Sequence, residues 1–205
     1  MHLNGGEVPS NDFDTSRPFS SFVETARKVI LNPAEFFRSI ETTTASKAPV
    51  IFAVACGVVS WPLSLIAEPF DPTIPDDAST MQGLSFLPSG NLGTTIAFVA
   101  LGLVMLPLFA LLSLYVGAVV QHLFVMIFIR QRRGFEATFR MLAYGSALSL
   151  LGWIPIVGYL AIFYGVYVFT VGFRELHSTS TTRALLAALV PILIWLPFFV
   201  LSFFL

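Results

Sequence analysis

The side chains of this 205-residue chain that are suited to chemistry fall in three short stretches. Gln121 and His122 precede the basic run Arg130-Gln131-Arg132-Arg133 by about two helical turns, roughly 12 Å of helix. Arg140 and Tyr144 stand four apart, which puts them on one face of a helix. Arg174, Glu175 and His177 follow one another within a single turn. Gathered by the fold, these seven residues make a polar collar, suited to a lipid headgroup or to a partner's polar side chain. The plainer reading is a hydrogen-bonded ring at a membrane interface, with its arginines reaching out to water. His122, Glu175 and His177 belong to metal-ligating types, but their spacing matches no zinc pattern. No metal or cofactor is expected. The chain also lacks a His-Glu-x-x-His helix, a Gly-rich phosphate loop and a Gly-x-Ser-x-Gly nucleophile turn, so an enzyme is not expected.

What must position these residues is a set of long apolar segments. The chain is 56% hydrophobic and 11% charged, with 21 Phe. Soluble domains carry roughly 25% charged residues, so the composition predicts an all-α integral membrane protein. Nucleic-acid binding needs a basic face, and none is apparent. Cys56, the single cysteine, lies in an apolar run and reads as a packing residue. Residues 1–18 are polar and rich in Gly, Pro, Asp and Ser, and predict a disordered cytoplasmic tail.

Residues 19–47 follow with an amphipathic pattern. Phe22, Val23, Ala26, Val29 and Ile30 share a helical face. Asn32-Pro33-Ala34-Glu35 then carries a restart signal, with a capping residue, a first-turn proline and a first-turn acid. Two short interfacial helices are expected, with Phe22, Phe36 and Phe37 turned to lipid and Arg27, Lys28 and Arg38 to its phosphates. The alternative is that they cap a helix bundle without touching lipid.

Five spans are expected in the membrane domain 48–205, near 48–67, 93–129, 137–152, 155–173 and 184–205. The run from Gly93 to Ile129 carries no formal charge and no polar turn sequence. As one helix it is roughly 55 Å long against a hydrocarbon core of about 30 Å. Sidedness favours one helix bent at Pro107 over two, because a hairpin would carry Arg130, Arg132 and Arg133 to the outer side. With five spans, all 11 Lys and Arg lie on the cytoplasmic side, along with the N-terminus, while the C-terminus is outside. The acidic, proline-punctuated loop 68–92 then faces outward.

Four blocks in order carry a family likeness: LNPAEFFRSI, QHLFVMIFIRQRRGFEATFRMLAYGSA, GWIPIVGY and GFRELHSTSTTRALLAAL. From about Phe22 onward the chain resembles the bacterial branch of the Yip (Ypt/Rab-interacting protein) family. That resemblance implies five spans, a cytoplasmic N-terminus, the bacterial inner membrane and a role in organising or shaping membranes. Ala143-Tyr144-Gly145 resembles the Gly-Tyr element of the family's third span. The Asp-Leu-Tyr-Gly-Pro motif of eukaryotic members is missing, so binding of a small GTPase does not carry over. The expected partners are membrane lipids, together with other membrane proteins or a second copy of the chain. A transporter is the second reading, with Tyr115, Gln121, His122 and Tyr144 as the residues of its path.

Overall fold

The computed structural model describes residues 13–41, 47–67, 70, 92–130 and 133–201. The start of the tail, most of the acidic loop 68–92 and Arg132 lie outside the described residues. No strand occurs among the described residues. The helices are α1 (Pro18–Leu31), α2 (Pro33–Ser39), α3 (Ala48–Ala67), α4 (Leu92–Phe128), α5 (Phe135–Gly145), α6 (Ser149–Gly152), α7 (Val157–His177) and α8 (Thr181–Leu201). A 3-10 turn, Ser146–Leu148, joins α5 to α6.

The long uncharged run forms one helix of 37 residues, with Pro107 inside it. Two helical stretches, Ala100–Phe128 and Val157–His177, are long and apolar enough to cross a membrane. Ala48–Ser64 and Thr181–Ile194 are shorter apolar stretches. α4 runs along the outside, exposing Leu101, Val104, Leu108, Phe109, Leu112 and Val116.

α5 occupies the centre instead. Ala137 through Met141 and Ala143 through Gly145 are all buried in it. The expected span 137–152 is thus two helices with a 3-10 turn between them, enclosed by protein over its first half. Small residues permit this enclosure. A Cβ added at Gly145 would lie 3.4 Å from the Phe169 ring, and one at Gly172 only 2.8 Å from Met141 Cγ. Gly165 and Leu148 meet in the same way further along. α5 and α7 therefore pack antiparallel at close range, with Met141 level with Gly172 and Leu148 level with Gly165. Gly134, just before α5, has φ +83°, a left-handed conformation that lets the chain turn sharply into the buried helix.

The N-terminal helices depart from the interfacial expectation. Phe36 and Phe37 are each 1% exposed and belong to the protein core, so they do not face lipid. Phe36 packs edge-on against Tyr144, and Phe22 lies 5.4 Å from Phe52. The physical reason is competition: a helix face that suits lipid suits an apolar groove between helices equally well, and α5, α3 and α7 provide one. The described end of the tail packs on the bundle. Phe13 is buried against Phe52, and Asp14 accepts hydrogen bonds from the Ser16 amide and hydroxyl, closing a turn ahead of α1. Those bonds hold the Asp14 carboxyl below its usual range.

Candidate functional site

The seven residues of the expected collar separate into distinct clusters. The first is a chain of hydrogen bonds across three helices. His122 Nδ1 lies 2.8 Å from Thr138 Oγ1, and Thr138 Oγ1 lies 3.2 Å from His177 Nε2. The backbone N–H of Arg133 donates to His177 Nδ1 at 3.2 Å. α4, α5, α7 and the α4–α5 link are thereby tied together at one end of the bundle. Thr138 is fully buried and His177 is 1% exposed. Sequence reading missed Thr138, because a threonine in a helix carries no signal until two histidines are seen to converge on it. Among the described residues no group of three or more metal-ligating side chains is gathered.

Thr138→Val removes the hydroxyl while keeping the shape. Both histidines then lose a buried partner, and stability is expected to fall by about 1–3 kcal/mol. Thermal unfolding in detergent measures it, and Thr138→Ser should recover most of the loss.

A second cluster is ionic. Arg38 on α2 reaches Glu175 on α7 at 3.1 Å, and Arg174 meets the same carboxylate at 2.6 Å. Glu175 keeps the Arg38 guanidinium more firmly protonated than usual, through the hydrogen bond first and its charge second. The pair fastens the end of α2 to α7. Arg38 had been expected to meet lipid phosphates; here its partner is a carboxylate of its own chain.

Arg140 is 1% exposed and pairs with Glu136 one turn earlier, at 2.7 Å. It does not reach outward to an interface, because α5 lies inside the bundle. Its pair partner is partly exposed and leads the charge toward the surface. Tyr144, on the same face, is fully buried. It joins an aromatic cluster with Phe36 at 5.0 Å and Phe52 at 5.4 Å, and its hydroxyl accepts from the Phe13 amide. Gln121 donates to the Ala187 carbonyl of α8 at 2.6 Å. Tyr115 is 45% exposed on the outer side of α4. Of the four residues named for a transport path, Tyr115 and His122 flank a row formed by the Phe139 and Phe135 rings, while Gln121 and Tyr144 lie apart from it.

One cavity opens at the corner between α1 and α2. It holds about 150 Å³ and is lined by Lys28, Asn32, Glu35 and Phe36. Of the residues expected at the interface, Lys28 and Phe36 line it, while Arg27 is exposed nearby on α1.

Among the described residues the fold is helical, and its two membrane-length helices and apolar exterior point to a membrane protein. The Yip1 domain model matches residues 27–203, and the chain belongs to that family. No curated protein and no solved structure matches it.

Proposed function

We propose that the protein is a non-enzymatic, multi-pass membrane protein that binds lipids or membrane partners and so organises the surrounding membrane. The observation that carries this reading is the apolar exterior. Along α4 alone, exposed large apolar side chains run from Ile96 to Ile127. A surface of that extent needs lipid or another apolar partner to cover it. Membership of the Yip1 domain family supports the same reading, since its members are generally non-enzymatic membrane proteins.

In this reading α3, α4, the α5–α6 pair, α7 and α8 make five crossings, with the N-terminus cytoplasmic and the C-terminus outside. The cytoplasmic membrane of a bacterium is the setting that fits the family likeness. The clustering of Lys and Arg supports the orientation. Single cysteines placed at Arg27 and Arg183, in a Cys56→Ser background, test it. Both are expected to react with an impermeant thiol reagent only in inside-out vesicles. Reaction of either one in right-side-out vesicles overturns the orientation.

A further inference from the structure

The level of the α1–α2 pair within the bundle follows from its contacts along α7. Arg38 meets Glu175, Phe37 lies beside Gly172, and the Tyr164 hydroxyl donates to the Ile30 carbonyl at 2.6 Å. From Glu175 to Tyr164 the helix rises about 16 Å. The corner between α1 and α2 is therefore drawn down alongside α7, away from the end of the bundle where α4 meets α5, by about the 10 Å length of α2. On the other sides of the bundle, that same end is apolar on its exterior, with Met126 and Ile127 exposed on α4 and Leu185 and Leu186 on α8. Glu24, Arg27, Lys28 and Glu35 thus stand at a level where neighbouring helices present hydrocarbon to lipid. A charge in hydrocarbon is costly, so the polar groups of adjoining lipids must come down to meet them.

The cavity at this corner carries opposite charges on its walls. Lys28 supplies an ammonium with three N–H donors, shared with Glu24 at 2.8 Å. Glu35 supplies a carboxylate whose charge also acts on Arg38 one turn on, with no salt bridge to it among the described residues. Asn32 adds an amide, and buried Phe36 an apolar wall. We propose that this cavity binds the headgroup of an ethanolamine phospholipid, with Lys28 on the phosphate and Glu35 and Asn32 on the primary ammonium. A choline headgroup has no N–H to donate to Glu35. A glycerol headgroup has no cation to bring to that carboxylate. The site rests on the membrane-protein reading above and adds the lipid class to it.

The test uses the full chain reconstituted into nanodiscs holding equal parts of phosphatidylethanolamine, phosphatidylcholine and phosphatidylglycerol, followed by native mass spectrometry of retained lipid. Phosphatidylethanolamine is expected to be retained preferentially. Glu35→Gln should reduce that preference about tenfold, and Lys28→Gln should weaken retention of all three lipids. Glu35 is exposed, so its substitution leaves the core intact, and Arg183→Gln serves as a control that changes nothing. Equal retention of the three lipids, or a preference untouched by Glu35→Gln, overturns the site. Tighter binding of free phosphoethanolamine than of the lipid overturns the lipid as its source. Release of the protein from membranes by alkaline carbonate overturns the membrane reading itself, which is a separate failure.

Discussion

Tyr144→Ala is expected to lower the stability of the protein by about 3–5 kcal/mol, the range for deleting a large buried aromatic ring. The ring is fully buried and bridges three parts of the chain: Phe36 from α2, Phe52 from α3 and the Phe13 amide ahead of α1. Alanine leaves a cavity where those parts converge, and edge-on aromatic contacts are lost with it. The N-terminal helices should loosen first, because their anchoring is concentrated there. Two measurements separate the effects: thermal unfolding in detergent for the global loss, and limited proteolysis within residues 13–41 for the local one. Tyr144→Phe keeps the ring and should cost far less. A loss under about 1 kcal/mol for alanine would mean that the aromatic cluster does not hold the cap.

Gly172→Val is expected to detach α2 from α7 and to destabilise by about 1–3 kcal/mol through overpacking. A Cβ at this position meets Met141 Cγ at 2.8 Å and Phe37 Cε2 at 3.2 Å. Met141 can swing aside only into a region already filled, since it is itself fully buried. The tightest contact is with Met141, so the substitution carries its own check. Met141→Ala alone leaves a cavity, but combined with Gly172→Val it makes room for the added methyls. The double variant should be more stable than the sum of the two single losses by about 0.5–3 kcal/mol. Simple additivity would show that the two helices are further apart than described.

The long elements were legible because apolar runs and charge punctuation are local properties. Leu92–Phe128 is one helix for the reason visible in its sequence: nothing within it can make a turn. The setting of α5 was not legible in the same way. Its residues Arg140 and Tyr144 look interfacial by type, and only the small residues Gly145 and Gly172 on the contact faces permit the enclosure that buries them. The N-terminal pair shows a second limit. Helix formation and the apolar face of Phe22, Phe36 and Phe37 follow from spacing, but spacing cannot say whether lipid or protein covers that face. The residues of the polar collar are divided among clusters for a related reason. Helical spacing groups residues along one helix, whereas Thr138 and the Ala187 carbonyl complete their clusters from other helices.

The histidine chain also has a direction. A backbone amide can only donate, so the Arg133 N–H obliges His177 Nδ1 to accept. In a neutral His177 ring the proton then resides on Nε2 and points to Thr138. The threonine hydroxyl, receiving there, has its own hydrogen to give to His122 Nδ1, an arrangement that places the His122 proton on Nε2. One peptide group in a link between helices thus selects the tautomer of a neutral His177, and the threonine relays that choice toward His122. A movement of that link would be written at His122 as a relocated proton, and nitrogen-15 chemical shifts of the two rings would register it.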